Sequence, residues 1–254
     1  MKKIILSSVV AGAVLFCIYG CASVDEIVGE SDLSVEEIEA KKSIAIDPDG
    51  RYASSTTSVM RQEVRTEMGW LDPDKVQMVE AKYEAPGNFK IITYEENAPV
   101  YAIIINQNQA WSADYSSQSV VSIPQSWLNR VKILEKMSDP RTKLKDVFAE
   151  VRAEKVLLDD ETFYKLICIN PDEAELSIYI DARDFLPRRI TGFFNVNGSK
   201  HHYDSRIEHY GMYEGVRIPD ESIIIQNGLE QTSKVIYYKL DVIIPQSEFR
   251  PPVF

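Results

Sequence analysis

The sequence is poor in basic residues. Its 28 lysines and arginines are outnumbered by 39 aspartates and glutamates, which gives a formal net charge of −11. Proteins that bind nucleic acid need a basic face, because much of their affinity comes from contacts to phosphate. We therefore expect no nucleic acid among the partners, and no recruitment to anionic lipid headgroups by charge alone.

Histidine and the short motifs of catalysis are also scarce. His201 and His202 are neighbours and point to opposite faces of a strand, while His201 and His209 would lie about 27 Å apart along it. The sequence contains no Gly-x-Ser-x-Gly, no His-Glu-x-x-His and no glycine-rich phosphate loop. We therefore expect no catalytic residue, no metal site, no cofactor and no enzymatic activity.

Long apolar runs are absent after the first 20 residues. Lys2 and Lys3 precede an apolar run from Ile4 to Phe16, which is typical of a secretory signal and too short for a stable membrane span. The next residues, Ile18-Tyr19-Gly20-Cys21, resemble the lipobox of a bacterial lipoprotein signal. The resemblance implies cleavage after Gly20 and a membrane anchor on lipidated Cys21. A plain signal peptide that is cut elsewhere is the alternative.

An acyl anchor predicts where the protein works. Two or more acyl chains hold a protein on a bilayer almost permanently, and Ala22 after the cysteine favours the outer membrane over the inner one, with the domain facing the periplasm. Residues 21–33 are acidic and lack periodicity, which predicts a tether that reaches only about 20 Å. We therefore divide the chain into a signal peptide (1–20), a tether (21–33) and a folded domain (34–254).

Cysteine is too rare to stabilise the domain. Cys17 leaves with the signal and Cys21 carries lipid, so that Cys168 is the one remaining thiol and no internal disulfide can form. Cys168 lies in an apolar segment that is typical of a strand, and we expect it to be a small buried core residue.

Helical signals occur at three places. Ser34 and Glu37 form a capping box, and Leu33 and Ile38 occupy the staple positions of a helix at about 34–44. A second helix is predicted by the spacing of Trp127, Leu128, Val131 and Leu134, and it ends before Asp139-Pro140. A helical period also continues through 143–151.

The remainder of the domain alternates between short apolar segments and turns. About a dozen segments between Ser55 and Ile244 read as strands in sequence order, which indicates antiparallel hairpins. So many twisted strands cannot stay flat. The predicted fold class is therefore mainly β (α+β), with a strongly curved antiparallel sheet that forms an incomplete β-barrel closed by one or two helices.

The strands are apolar on one face. Leu176, Ile178 and Ile180 alternate with polar neighbours, which predicts one continuous apolar surface on the inside of the barrel. Either this surface encloses a ligand cavity or aromatic side chains fill it. The aromatic residues available for filling are Phe193, Phe194, Tyr237 and Tyr238.

Several motifs, in order along the mature chain, resemble the LolA/LolB-like family that sorts lipoproteins to the outer membrane. The motifs are Pro86-Gly87-Asn88-Phe89-Lys90-Ile91, the hairpin from Asn106 to Trp111, Ile180-Asp181 with Leu186-Pro187-Arg188, Gly215-Val216-Arg217-Ile218-Pro219, and the segment from Ile244 to Pro252. Lys90 stands where the family usually has Arg. The resemblance implies an eleven-stranded incomplete barrel closed by helices, with an apolar cavity for acyl chains and the role of a tethered acceptor.

These observations together predict a non-enzymatic, membrane-anchored lipoprotein that binds acyl chains or lipidated proteins at the outer membrane, in lipoprotein or lipid sorting. The predicted ligand-binding residues are Ile91, Trp111, Leu176, Ile178, Ile190, Phe194, Tyr238 and Leu240. The alternative is a protein-interaction or envelope-sensing lipoprotein whose barrel is filled by its own side chains.

Overall fold

The computed structural model describes residues 25–67, 76–226 and 228–254. The predicted signal peptide and Cys21 lie outside these residues. The helices are α1 (Val35–Ile46), α2 (Arg51–Ser54) and α3 (Gln125–Ser138), with short 3-10 helices at Leu144–Asp146 and Gln246–Phe249. The strands are β1 (Glu26–Glu30), β2 (Thr57–Glu67), β3 (Val76–Glu84), β4 (Asn88–Glu95), β5 (Ala98–Asn106), β6 (Gln109–Asp114), β7 (Ser119–Ser122), β8 (Glu150–Leu158), β9 (Glu161–Asn170), β10 (Ala174–Asp181), β11 (Pro187–Val196), β12 (Ser199–Tyr213), β13 (Val216–Gln226) and β14 (Leu229–Leu240).

The strands of the described residues form one open, antiparallel sheet. Their order is β1-β8-β9-β10-β11-β12-β13-β14-β2-β3-β4-β5-β6-β7, so that β1 and β7 are the two edges. This arrangement confirms the predicted fold class. The helix predicted at 143–151 is wrong, because only Leu144–Asp146 is helical and β8 begins at Glu150.

Helix α1 begins as its sequence predicts. The backbone N–H of Glu37 donates to the Ser34 hydroxyl, and the Glu37 carboxylate accepts from the backbone N–H of Ser34 at 2.8 Å, which completes the capping box. Ile38 is fully buried and Leu33 packs against the same core. The cap and staple therefore fix the angle at which α1 enters the core.

Part of the predicted tether is a strand. Glu26–Glu30 pairs with β8 in antiparallel register, and the Asp25 carboxylate accepts hydrogen bonds from Lys165 Nζ at 2.5 Å and the Tyr179 hydroxyl at 3.2 Å. The segment differs from the prediction because its backbone completes the edge of the sheet, which side-chain periodicity does not reveal.

Helices α1 and α3 lie on one face of the sheet, here called the helix face. Leu128 and Val131 of α3 pack with residues of β4–β6, and Ile133 of the same helix packs with Phe194 of β11. Because β4 and β11 are six strands apart in the sheet, one helix can contact both only if the sheet curls around it. The helix face is therefore the concave face.

The chain after β14 covers part of the opposite face. Ile244 and Phe249 pack on Val59 of β2. Glu248 forms ion pairs with Lys82 at 3.1 Å and Lys90 at 2.9 Å. The two faces of the sheet are thus buried by different parts of the chain.

One glycine is required for the close approach of two core strands. Gly192 of β11 has φ +147°, and a Cβ at this position would lie 2.0 Å from the backbone oxygen of Glu175 in β10. Only glycine fits this approach. In the described ranges, no helix has the length and apolar character needed to cross a membrane.

Candidate functional site

Four of the predicted ligand-binding residues lie together under α1 and α3. Leu176, Ile178 and Phe194 are 0%, 5% and 1% exposed, and Ile190 packs against the same cluster. Ile178 stands directly opposite Ile190 in the register of β10 and β11. The alternation read from the sequence therefore gives the correct face for these strands.

Ile91, Tyr238 and Leu240 also lie on the helix face, at some distance from that cluster. In the register of the sheet, Tyr238 stands opposite Met60, Met60 opposite Ala81, and Ala81 opposite Ile91. Tyr238 and Ile91 therefore point to the same face of the sheet. Leu240 is buried, and its backbone N–H donates to Glu214 at 2.7 Å. Burial raises the pKa of Tyr238 to about 12. The group of Ile91, Tyr238 and Leu240 is therefore surrounded by polar as well as apolar contacts.

Trp111 is the predicted site residue that the structure separates from the others. It pairs with Ile104 of β5, and Ile104 pairs with Lys90, whose ammonium group binds Glu248 on the opposite face. Trp111 accordingly packs with Ile92, on the face that the C-terminal segment covers. The sequence predicts that this aromatic residue lies inside the barrel, because it gives no sign that the outer face of the sheet is also covered.

The helix face is not uniformly apolar. Across its central strands the Ser222 and Ser233 hydroxyls are 2.8 Å apart, and the Gln231 amide donates to the Thr66 hydroxyl at 3.1 Å. These residues share the face of Ile190 through the register of β11 to β2. The predicted continuous apolar surface is therefore wrong at the middle of the sheet, where neutral hydrogen-bonding groups interrupt it.

The protein's own side chains fill much of the concave face. Of the four aromatic residues available, Phe194 and Tyr238 point to the helix face. Phe193 lies on the other face with the Lys200 Nζ 3.9 Å from its ring centroid, and Tyr237 is 40% exposed beside Arg61. Two of these four aromatic side chains therefore fill the concave face, and the other two lie outside it.

A cleft remains open beside α3. Its volume is about 440 Å³, within the usual range of small-molecule sites. Ile133 and Phe194 supply its apolar wall. Its polar wall consists of Ser126, Asn129, Arg130, Asp172, Glu173, Asn195 and Asn197, with Gly198 beside them.

Arg130 is the functional candidate that sequence reasoning missed. It is 7% exposed, and its guanidinium carbon lies 5.1 Å from the Trp127 ring centroid and 5.0 Å from that of Phe194. Its Nη1 atom is buried without a hydrogen-bond partner. A signal was present in the sequence, because Arg130 lies three residues after Trp127 and four before Leu134, on the apolar stripe of α3.

The surroundings of Arg130 explain its electrostatics. Burial lowers the pKa of Arg130, and the Tyr203 hydroxyl acts weakly in the opposite direction. Burial and the charge of Arg130 together lower the pKa of the neighbouring His201. Arginine keeps its proton in proteins, so the cleft contains a permanent positive charge.

The other chemically reactive residues do not form a site. Cys168 is fully buried, and burial raises the pKa of its thiol to about 12. The His209 ring pairs with Asp220 at 2.6 Å. Within the part of the chain that the structure describes, no group of three or more histidine, cysteine, aspartate or glutamate side chains has the geometry to hold a metal ion.

No protein-family model matches the sequence, and a search of curated proteins finds no match. Similarity appears in solved structures. A LolA superfamily protein from Nitrosomonas europaea superimposes with a TM-score of 0.58 at 14% identity, over 86% of this chain and 98% of the other. A DUF1329 family protein from Desulfovibrio piger gives 0.59 at 10% identity, over 85% and 97%.

A third structure, a putative outer membrane lipoprotein-sorting protein domain from Vibrio parahaemolyticus, gives a TM-score of 0.56 at 11% identity, over 85% of this chain and 95% of the other. At these identities the likeness concerns the fold. The motifs read from the sequence and the curled sheet around α3 agree with it, and the chain has the LolA/LolB-like fold.

Proposed function

We propose that this protein is a non-enzymatic, membrane-anchored lipoprotein that binds acyl chains or lipidated proteins between the sheet and α3. The observation that carries the proposal is the cleft beside α3, whose apolar wall of Ile133 and Phe194 continues into the buried cluster around Leu176 and Ile178. The LolA/LolB-like fold of the similar structures supports it.

The energetics require no catalytic group. Each buried methylene contributes about 0.8 kcal/mol, so that one acyl chain supplies roughly 10 kcal/mol before the loss of entropy on binding. The cleft as it stands admits part of such a chain. Full burial then needs α3 to move outward from Leu176, Ile178 and Ile190, and we propose that these residues and Phe194 become the lining.

The remaining predicted lining residues have a smaller part in this proposal. Ile91, Tyr238 and Leu240 would form a second apolar region, separate from the first because polar residues lie at the middle of the sheet. Trp111 is left out, because it packs on the opposite face. The membrane location, on the periplasmic side of the outer membrane, rests on acylation of Cys21.

Native mass spectrometry of the mature chain with Cys21→Ser, followed by organic extraction, tests the binding of lipid. We expect a stoichiometric phospholipid, fatty acid or acylated peptide, or uptake of an added fluorescent fatty acid. Asn129→Trp narrows the cleft and should weaken uptake at least tenfold, whereas Lys136→Trp, at an exposed position two turns further along the same helix and outside the cleft, should not change it. A clean apo mass without uptake would contradict the proposal.

A second candidate is favoured by the exposure of the sheet edges. All residues of β1 and β7 are exposed, and Ile27, Val28 and Val121 are about 60% exposed. An exposed edge strand can accept a strand from another protein. If the protein binds no lipid, this edge-mediated interaction becomes the better account of a lipid-anchored domain.

A further inference from the structure

Arg130 differs from the buried charged residues Glu80 and Lys90, each of which has a charged partner. Glu80 pairs with Arg61 at 2.6 Å, and Lys90 pairs with Glu248 at 2.9 Å. For Arg130 the described residues supply two aromatic rings and no carboxylate, and Nη1 stays without a hydrogen-bond partner. A buried cation without a partner is costly, so that its presence requires an explanation, and binding of an ion or ligand is one such explanation.

The guanidinium group belongs to the wall of the cleft. Guanidinium presents its N–H donors in a planar fork that matches carboxylate and phosphate oxygens. The guanidinium carbon lies 5.1 Å from the Trp127 ring centroid and 5.0 Å from the Phe194 ring centroid, and these contacts restrict the motion of the group. An oxoanion that enters the cleft would therefore meet a donor set that is already oriented.

The same cleft also contains negative charge. Asp172 and Glu173 lie in the turn between β9 and β10 that lines the cleft, and the Asn129 amide donates to Glu173 at 3.2 Å. Two carboxylates and one guanidinium give the wall a net negative charge. A simple anion is therefore disfavoured there, and a ligand that carries an anion and a cation side by side is favoured.

We propose that the cleft beside α3 binds a zwitterionic phospholipid headgroup, with the phosphodiester on Arg130, the ammonium group near Asp172 and Glu173, and the acyl part on Ile133 and Phe194. The inference deepens the proposed function, on which it rests, by naming the ligand class. Arg130 acts as a specificity residue for the headgroup, and the apolar wall binds the chains.

The test compares lipids that have the same short chains and different headgroups, with the mature Cys21→Ser chain in a calorimeter. The four probes are dihexanoyl phosphatidylethanolamine, dihexanoyl phosphatidylmethanol, dihexanoylglycerol and inorganic phosphate. We expect the ethanolamine lipid to bind at least tenfold more tightly than the glycerol, which equals about 1.4 kcal/mol. We expect it to bind about fivefold more tightly than the methanol lipid.

Three variants at the cleft and one control variant outside it assign the preference to residues. Arg130→Met should abolish the preference for the ethanolamine lipid over dihexanoylglycerol without changing the affinity for dihexanoylglycerol. Arg130→Lys should keep part of this preference. The double variant Asp172→Asn, Glu173→Gln should abolish the preference for ethanolamine over methanol. Arg206→Met, which removes an exposed arginine outside the cleft, should leave all four affinities unchanged.

Thermal unfolding separates this role from a structural one. Methionine removes an unpaired buried charge and fills a similar volume, so that Arg130→Met should melt no lower than the wild type. A large drop in melting temperature together with an unchanged headgroup preference would overturn the inference.

The binding data can also overturn it in three separate ways. If the wild type binds the ethanolamine lipid and dihexanoylglycerol with equal affinity, the headgroup site is refuted. The proposed function is not affected by that result. Inorganic phosphate that binds as tightly as the lipid identifies a site for free oxoanions. Failure of every amphiphile to bind refutes the inference and the proposed function together.

Discussion

Replacement of Phe194 by alanine should strongly destabilise the protein, whereas the same change at its neighbour Phe193 should not. Phe194 is 1% exposed and packs under α3, and Phe193 is partly exposed on the other face beside Lys200. Truncation of a buried phenylalanine typically costs about 3–5 kcal/mol. Because the cleft beside Phe194 already admits solvent and Arg130 would become hydrated, we expect about 3 kcal/mol.

The loss at Phe193 should be below about 1 kcal/mol, since its ring contacts are a cation–π pair with Lys200 and an edge contact with His202, both exposed residues. Equilibrium unfolding in urea measures both values, and an unchanged denaturant slope shows that the two variants unfold by the same transition. In a domain of this size, 3 kcal/mol lowers the melting temperature by roughly 6–12 °C.

Equal destabilisation by the two variants would refute the assignment of faces in β11 and, with it, the site. A further outcome checks the link to binding. Phe194→Ala widens the cleft, so that the variant should take up a fluorescent fatty acid of greater bulk than the wild type accepts.

Three other predictions concern stability and reactivity. Partial burial raises the pKa of Glu248, but the ammonium groups of Lys82 and Lys90 outweigh it, so that the pKa is lowered overall. Glu248→Gln should therefore reduce the free energy of unfolding by about 1 kcal/mol at pH 7. This difference should be fully present above the unfolded-state pKa, near 4.5, and vanish as the pH falls through the lower folded-state value in urea titrations. Gly192→Ala should prevent stable folding, seen as lost circular dichroism cooperativity, whereas Gly29→Ala, with no atom within 4 Å of the new Cβ, should be nearly neutral. Cys168 in the Cys21→Ser chain should resist maleimide at pH 8 and react only after unfolding, and rapid labelling of the native protein would contradict its burial.

Local chemistry explains which parts of the fold were predictable. The capping box of α1 needs only Ser34 and Glu37, and the alternation in β10 needs only the residues of that strand. Strands β1 and β7 were missed because both are short, fully exposed edges whose conformation comes from backbone pairing with a neighbour. The 143–151 segment has a helical period in its sequence, but its last two residues, Glu150 and Val151, pair with β9.

The site was less predictable, because its geometry depends on which face each long-range neighbour covers. Trp111 packs in a cluster with Tyr115, and Tyr115 contacts Phe254, which lies more than a hundred residues later in the sequence. Arg130 could be located on the apolar stripe of α3, but the absence of a partner for its Nη1 depends on β11 and the β9–β10 turn. Sequence periodicity therefore gives the faces of a helix or strand and leaves open what lies against them.

The position of β14 beside β2 has a consequence for how the protein folds. Apart from the edge strand β1, the sheet consists of two meanders, β2–β7 and β8–β14, each built from neighbouring strands in sequence, and one seam joins them. Ser58 and Leu240, which pair across that seam, are 182 residues apart. Closing such a loop costs roughly 4–5 kcal/mol of chain entropy, so each meander should acquire protected amides early in refolding while the seam forms last and limits the rate.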